Sequence, residues 1–217
     1  MQDIAKFIAG FQRFQEKYFS EDRDLFAQLG QGQRPKTMIV ACADSRVDPA
    51  LLTGAIPGEM FVVRNVANLV PPYEPSGSFA SVPAALEFAV LSLDVEHIIV
   101  LGHAQCGGIH ALMSDDGACG EFIGKWVGIA MRARERVLAE LPAKSAPLQE
   151  RACEQASILV SLENLMTYPW IEQRVTARRV HLHGWYFDIA QGDLLCYNPA
   201  RNAFVSVATD PQRALQS

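Results

Sequence analysis

Apolar residues along the chain fall into short continuous runs separated by segments with helical spacing. Two runs, residues 37–41 and 97–101, have the length and the aliphatic content of buried strands. A third run, residues 60–64, predicts another strand, and residues 79–92 predict a helix between the second and third strands. This alternation predicts an α/β fold, with a mostly parallel central sheet flanked by helices.

The N-terminal segment has an apolar stripe at helical spacing. One face of the predicted helix carries Ile4, Phe7, Ile8, Phe11, Phe14 and Tyr18. Packing within its own domain is the simplest explanation of such a stripe. No linker or repeat divides the chain, so we expect one domain, residues 1–217, with an N-terminal helical arm (1–34) and an α/β core (35–217).

The remaining elements are predicted from short local signals. A brief helix follows residue 46, with Asp48 as its N-cap, Pro49 in its first turn and Gly54 at its end. The later chain has helical character to about residue 178. A strand follows from residue 180, and residues 194–197 and 204–207 predict short strands that add a hairpin at one edge of the sheet.

Composition argues against several kinds of partner. The 217 residues are 49% hydrophobic and 20% charged, with a net charge of -5 and no basic cluster, which argues against nucleic acid. No apolar segment approaches the roughly twenty residues of a membrane span, and the N-terminus lacks the pattern of a signal peptide. Five cysteines, an odd number, fit a reducing compartment. We therefore expect a cytoplasmic protein.

The residues that end the first and third strands have the chemistry of a metal site. Cys42 and Asp44 follow one strand, and His103 and Cys106 follow the other. The carboxyl ends of neighbouring parallel strands lie at one edge of a sheet, so these side chains can meet there. Two thiolates and an imidazole suit Zn²⁺ and leave a fourth tetrahedral position for water, or for Asp44 when water is excluded.

Each of these residues also has an ordinary structural explanation. Free cysteine usually acts as a small buried hydrophobe, and a single histidine is commonly a core residue. The ligand pairs also lack the CxxC repeats typical of structural zinc. Taken alone, the residues leave both a metal site and a simple core open. We expect the other three cysteines, Cys119, Cys153 and Cys196, to take no part in the chemistry.

Several motifs resemble those of the β-class carbonic anhydrases. Cys-x-Asp-Ser-Arg occurs at residues 42–46, Arg-Asn-x-x-Asn at 64–68 and Gly-His-x-x-Cys-Gly at 102–107. The likeness extends over nearly the whole chain, with further similar segments at residues 57–59, 81–90 and 161–165. Because these motifs occur in order and at matching spacing, the sequence is identified as a member of this family.

The resemblance implies a zinc enzyme that reversibly hydrates CO₂ to bicarbonate and a proton. One Zn²⁺ per subunit is expected on Cys42, His103 and Cys106, with zinc-bound hydroxide attacking CO₂. Two thiolates cancel the formal charge of the ion, so we expect its water to be less acidic than beside neutral ligands and activity to rise toward mildly alkaline pH.

The resemblance gives Asp44 and Arg46 the role of a switch. Held by Arg46, Asp44 is expected to accept a hydrogen bond from the zinc-bound hydroxide; released, it would occupy the fourth site in a closed form. The regulated branch of the family has a Trp three residues before the first Cys, where this chain has Ile39. We therefore expect the open form that is typical of the plant-like branch.

The resemblance also implies a CO₂ pocket lined by Gln33, Phe61, Val66, Phe88 and the amide of Gly107. An apolar pocket suits CO₂, which has no net dipole, and Gln33 is expected to donate to a substrate oxygen. Phe88 stands where the family usually has Tyr, so one possible hydrogen bond is lost. The family further implies that the N-terminal arm reaches across a partner subunit, in a homodimer or a dimer of dimers.

Two other functions remain open. The same zinc hydroxide could hydrolyse CS₂ or COS behind a narrower and drier entrance, and rates measured on each substrate would separate the two enzymes. A protein of another class, a zinc-binding sensor without turnover, would use the same ligands. The pairing of Asp44 with Arg46 weighs against this second function, because a storage or structural site has no need of it.

Overall fold

The computed structural model describes residues 2–21, 23–75, 81–114 and 120–209. The chain divides into two compact units, Met1–Arg34 and Pro35–Ser217. The first unit is helical throughout most of its length. Its elements are α1 (Gln2–Glu16), a π-helical turn (Lys17–Glu21) and α2 (Arg23–Leu29).

The apolar stripe of α1 has two halves with different surroundings. Phe14 contacts Tyr18 at 4.9 Å and Phe26 at 5.5 Å between ring centroids, so the second half packs on α2 within this unit. The first half has no such cover: its side chains are 58–68% exposed, and they are Ile4, Phe7, Ile8 and Phe11. Packing within the unit therefore explains only part of the stripe.

The second unit is built on a six-stranded sheet in the order β2-β1-β3-β4-β5-β6. The first four strands of this order are parallel, and the last two form the antiparallel hairpin expected at one edge. The predicted fold class is thus confirmed. The strands are β1 (Thr37–Cys42), β2 (Met60–Asn65), β3 (His97–His103), β4 (His181–Asp188), β5 (Asp193–Asn198) and β6 (Ala203–Ser206).

Helices of the second unit connect and flank these strands. Asp48 caps the short α3 by accepting a hydrogen bond from the amide of Leu51 at 3.1 Å, and Gly54 ends it at φ 70°, as predicted. A π-helical turn (Phe88–Ser92) extends α4, while residues 79 and 80 of the predicted helix lie outside the described part. The helices are α3 (Pro49–Thr53), α4 (Ser81–Glu87), α5 (Gly107–Met113), α6 (Glu121–Val127), α7 (Met131–Glu140), α8 (Ala146–Leu165) and α9 (Pro169–Thr176).

The central strands are buried on both faces, which explains their unbroken apolar runs. On one face, Met38 and Ile98 pack with side chains of α4, α8 and α9. On the other face, Ile39 and Ile99 pack with Val47 in a separate cluster. Among the described residues, no helix is both long and apolar enough to cross a membrane.

Candidate metal centre

The candidate ligands come from the carboxyl ends of β1 and β3 and from the start of α5. Cys42 is the last residue of β1, and His103 is the last residue of β3, the parallel strand paired beside it. Gln105, at φ 58°, turns the chain after β3 so that Cys106 stands at the N-terminus of α5. Sheet topology therefore brings together residues about sixty positions apart in the sequence.

A glycine permits the close approach of α5 to this edge of the sheet. A Cβ at Gly108 would lie 2.7 Å from Val66 Cγ1 and 2.9 Å from Ala67 Cβ, whereas a Cβ at Gly107 would meet nothing within 4 Å. Real Cβ contacts are not that short, so only glycine fits at position 108 without a shift of its neighbours. Gly108, which directly follows the motif, therefore sets the packing here, whereas Gly107 does not.

The three side chains form a compact and buried group. One ligand atom from each of Cys42, His103 and Cys106 lies within 4.8 Å of the others, and no second group of this kind occurs among the described residues. The two sulfur atoms are 3.9 Å apart. Relative exposures are 4% for Cys42, 1% for His103 and 2% for Cys106. Such a donor set fits Zn²⁺ in size and in chemistry.

The hydrogen bonding of His103 supports a metal rather than a purely structural role. Its Nδ1 donates to the carbonyl oxygen of Ala104 at 2.9 Å, which leaves the lone pair on Nε2. Within the described part of the chain, this buried Nε2 has no hydrogen-bond partner. Buried polar atoms normally have partners, so a lone pair beside two sulfur atoms marks a place for a cation.

The ligands influence one another's protonation. The pKa of Cys42 is lowered, chiefly because the Cys106 thiol donates to its sulfur; burial acts in the opposite direction, and the neighbouring His103 ring adds to the lowering. The pKa of Cys106 is raised, since losing its proton would place a second thiolate beside the first. Burial alone would lower the pKa of His103, but its contacts with Cys42 and Ala104 and the nearby negative charges raise it. A divalent cation would relieve this repulsion and hold both thiolates.

Arg46 holds Asp44 beside the side chains of Cys42, His103 and Cys106, which we call the metal group. Arg46 Nε donates to Oδ1 at 2.9 Å, Nη2 donates to Oδ2 at 2.7 Å, and the Arg46 amide donates to Oδ1 at 2.9 Å. Nη2 also donates to the carbonyl of Gln105 at 2.9 Å. These donors hold the pKa of Asp44 well below its usual range. Its Oδ2 lies 3.9 Å from His103 Nε2, close to the ligands but outside the three-residue group.

Arg64 has a part at this site that the sequence reasoning missed. Its Nε donates to the carbonyl of Cys42 at 2.9 Å, and its Nη2 donates to the carbonyls of Asp44 and Val47, both at 2.7 Å. The guanidinium thereby ties the segment after β1 to β2. The only sequence signal was its place in the Arg-Asn-x-x-Asn motif, which gave no indication of these partners.

A second missed residue is Glu154 of α8, which is 5% exposed. Its Oε1 accepts a hydrogen bond from the amide of Cys106 at 3.0 Å, and its Oε2 accepts one from the hydroxyl of Tyr186 at 2.7 Å. Burial raises the pKa of Glu154. The one sequence feature that pointed to a role for Glu154 was a charged residue on the apolar face of a predicted helix.

The expected pocket residues lie in different places. Phe61 and Phe88 contact each other at 5.8 Å between ring centroids, and Phe88 is 46% exposed. Phe61 precedes Asn65, the β2 residue paired with Cys42, by four positions, which is roughly 13 Å along an extended strand. Within one chain, this aromatic pair does not reach the metal group.

The other expected pocket residues divide between the two units. Val66 contacts the start of α5 beside Cys106 and is 39% exposed, and Gly107 directly follows Cys106. Both therefore lie at the metal end of the sheet. Gln33 belongs to the N-terminal unit, and its place at a pocket stays a prediction.

The remaining cysteines differ from the metal group. Cys153 and Cys196 are buried free thiols, and burial raises their pKa values to about 12 and about 11, respectively. Thiols with such pKa values stay protonated at neutral pH and are poor nucleophiles. Cys119 lies outside the described residues.

Fold and site together define an α/β protein with a Cys₂His metal group at the carboxyl edge of a mainly parallel sheet. A family model described as carbonic anhydrase matches residues 37–194. The chain is 45% identical over 180 residues to beta carbonic anhydrase 5, chloroplastic, from Arabidopsis thaliana. It is 36% identical over 205 residues to a carbonic anhydrase of Synechocystis sp.. These matches cover 82% and 94% of this chain but 59% and 74% of the relatives, respectively.

Solved structures give the same assignment. The β-carbonic anhydrase CcaA matches with a TM-score of 0.89 and 35% identity, over 94% of this chain and 99% of its own. A tetrameric β-carbonic anhydrase from Sordaria macrospora matches with a TM-score of 0.82 and 27% identity, over 90% and 97%. The chain belongs to the β-class carbonic anhydrases.

Proposed function

We propose that this protein catalyses the reversible hydration of CO₂ to bicarbonate and a proton, with one Zn²⁺ on Cys42 Sγ, His103 Nε2 and Cys106 Sγ. The observation that carries the proposal is the buried, unpartnered Nε2 of His103 beside the two sulfur atoms. Membership of the carbonic anhydrase family supports the choice of reaction.

The protein groups around the metal orient the reacting water. When bound, Zn²⁺ supplies a Lewis acid that lowers the pKa of a water molecule. Asp44 stays ionised, and Arg46 would keep it off the metal by engaging both of its oxygens. Its carboxylate accepts a hydrogen bond from the reacting water and so directs an oxygen lone pair toward CO₂. Arg64 fixes the segment between Cys42 and Asp44 by donating hydrogen bonds to the backbone carbonyl groups of both residues.

The substrate side of the site combines residues from more than one chain in this proposal. Val66 and the amide of Gly107 lie beside Cys106 and line the pocket from within the subunit. Phe88 is exposed, Phe61 is partly buried beside it, and both are remote from the metal group of their own chain, so we place them against the metal group of a second copy. The Sordaria relative is tetrameric, which supports a homo-oligomer, either a dimer or a dimer of dimers.

The location of the protein and its exact substrate also remain proposals. We keep the cytoplasm as the expected compartment, although the Arabidopsis relative is named as chloroplastic. Hydrolysis of CS₂ or COS is tested with the same protein and the same metal, since it would use the same groups of the chain.

Stopped-flow hydration of CO₂ from pH 6.5 to 9, on protein of known zinc content, tests the proposal. We expect rapid hydration that increases toward alkaline pH and that disappears, together with the zinc, in Cys106→Ser. Cys196→Ser, which alters a buried thiol outside the metal group, is the matched control and should retain both. A rate of CO₂ hydration that does not change with pH would contradict the proposal. So would zinc-replete protein that hydrolyses only COS or CS₂, or that acts on none of the three substrates.

A further inference from the structure

Glu154 is a buried carboxylate for which the reaction itself has no evident use. It lies on α8, 5% exposed, and both of its oxygens have a partner. Burying a charge is costly, and it is tolerated where hydrogen bonds compensate for the lost water. The identity of those partners shows what the carboxylate holds in place.

The first partner is the backbone of a metal ligand. The amide of Cys106 donates to Glu154 Oε1 at 3.0 Å, while the Cys106 carbonyl accepts from the amide of His110 at 2.9 Å. Cys106 is the residue before the first turn of α5, where a buried amide has no helical partner of its own. With both of its peptide groups held, the residue keeps one backbone conformation, and the direction of its Cα–Cβ bond is set.

The second partner fixes the carboxylate. The hydroxyl of Tyr186, a fully buried residue of β4, donates to Glu154 Oε2 at 2.7 Å. The guanidinium of Arg151, one helical turn before Glu154, lies 5.7 Å from the centroid of the Tyr186 ring and forms an ion pair with Asp188 at 2.8 Å. The ring and the carboxylate therefore have little freedom to rotate.

We propose that Glu154 is a positioning residue for the metal centre. The Glu154 carboxylate holds Cys106 Sγ in the orientation that binds the ion, and Tyr186 in turn holds the carboxylate. This inference rests on the proposed metal site. It assigns the residue no contact with substrate. A preformed Cys106 side chain loses less freedom when the metal binds, so the carboxylate acts on metal affinity and on the rate of metal loss.

Zinc affinity, measured by competition with a chelator, tests the inference independently of catalysis. In Glu154→Ala we expect zinc binding to weaken by about 10- to 100-fold, the range found when groups that orient metal ligands are removed. Glu154→Gln keeps an oxygen that can accept from the Cys106 amide, so it should restore most of the affinity. Ile171→Ala, which opens a cavity in the core away from Cys106, should lower thermal stability but leave zinc affinity unchanged.

Tyr186→Phe keeps the inference testable if Glu154→Ala does not fold. Loss of the hydroxyl frees Glu154 Oε2, and we expect zinc to pass to a chelator several-fold faster than from the unaltered protein. Tyr197→Phe removes a hydroxyl that bonds to Asn202 near the surface and should not change the rate. Unchanged affinity in Glu154→Ala, equal losses in the Gln and Ala variants, or an unchanged rate in Tyr186→Phe would overturn the inference.

Cobalt substitution distinguishes failure of the inference about Glu154 from failure of the proposed metal site. Unaltered protein loaded with Co²⁺ should show the intense near-ultraviolet absorption of thiolate–cobalt bonds. Absence of that band would refute the metal site proposed above, and the inference with it. The band in the unaltered protein, together with equal metal affinity in all the variants, would refute only the role of Glu154.

Discussion

At the scale of single residues, the site depends on hydrogen bonds that each fix one property of a functional group. The carbonyl of Ala104 sets the tautomer of His103, and Arg46 sets the orientation and charge of Asp44. Each effect removes an alternative orientation or protonation state that would compete with the one required for the reaction.

Removing the guanidinium of Arg46 should impair catalysis equally across the pH range. Without it, the pKa of Asp44 returns toward the ordinary value of about 4, which still leaves the carboxylate ionised above pH 6.5. The defect is then one of orientation, and we expect Arg46→Ala to reduce kcat for CO₂ hydration by about 100-fold or more, with the shape of the pH profile unchanged.

Two controls accompany this measurement. Arg46→Lys keeps the charge but cannot pair with both carboxylate oxygens, so it should remain impaired. Arg136→Ala removes an exposed ion pair with Glu140 on α7 and should be fully active. Full activity in Arg46→Lys would show that charge alone is sufficient, contrary to our interpretation.

A histidine cluster at the other end of the sheet should make stability depend on pH. Burial, followed by the charges of His97 and His181, lowers the pKa of His183 to about 4. The unfolded chain binds this proton near pH 6.5, whereas the folded protein binds it only near pH 4. Stability from this group is therefore fully present above pH 6.5, and the free energy of unfolding falls by up to about 3 kcal/mol as pH decreases to 4.

Urea unfolding at pH 7, 5.5 and 4 measures this effect. His183→Gln should reduce the difference in unfolding free energy between pH 7 and pH 4, because the titrating group is gone. His110→Gln alters an exposed imidazole bonded to Glu150 and serves as the control. An equal pH dependence in His183→Gln and in the unaltered protein would show that this imidazole is not the source.

At the scale of elements, the metal group depends on how closely α5 approaches the turn after β2. Gly108 provides that approach, and the side chain of Asn65 fixes the turn by bonding to both peptide groups of Leu69, at 2.9 and 2.8 Å. Ala67 and Asn68 within this turn have φ values of 64° and 49°, an uncommon conformation that such bonds help to maintain. The turn after β2 and the start of α5, which are far apart in sequence, thus pack as one unit.

Gly108→Ala tests this packing. The new methyl group would overlap Val66 and Ala67, so we expect the free energy of unfolding to fall by about 1–3 kcal/mol and the zinc content to fall with it. Gly128→Ala is a matched change with nothing within 4 Å, and it should leave stability equal or slightly greater. Equal stability of the two variants in urea would contradict the close approach.

At the scale of the whole molecule, a single chain leaves apolar surface exposed that an assembly of several chains would cover. The first half of the α1 stripe is exposed, and Phe61 and Phe88 lie away from the metal group of their own subunit. The second copy of the chain in the proposed assembly would cover both surfaces, because the free energy falls when apolar surface is removed from water.

Charged residues in the exposed part of the stripe should weaken assembly. We expect Phe7→Glu combined with Phe11→Glu to reduce the mass of the particle measured by light scattering during gel filtration. Lys6→Gln, an exposed polar position on the same helix, should have no effect. An unaltered protein that elutes as a monomer, or an assembly unaffected by the double change, would contradict the role given to the arm.

Sequence reasoning predicted the elements and the members of the buried Cys42, His103 and Cys106 group better than it predicted their surroundings. The two strand runs, the Asp48 cap and the edge hairpin were predicted correctly because each depends on local spacing and chemistry. The roles of Arg64 and Glu154 were missed. Arg64 bonds to the backbone of a residue 22 positions away, and Glu154 to the backbone of one 48 positions away. A pattern of residue types in the sequence does not predict a hydrogen bond to a distant peptide group.

The sequence by itself determined the α/β class, the order of the elements and the presence of two cysteines and a histidine at strand ends, since periodicity and residue chemistry are local properties. Tertiary structure alone decided which atoms meet. It brought the three candidate ligands within 4.8 Å, left Nε2 of His103 without a hydrogen-bond partner among the described residues and separated Phe61 and Phe88 from this group in their own chain. Such distances depend on strand register and helix packing, which arise from many weak contacts acting together.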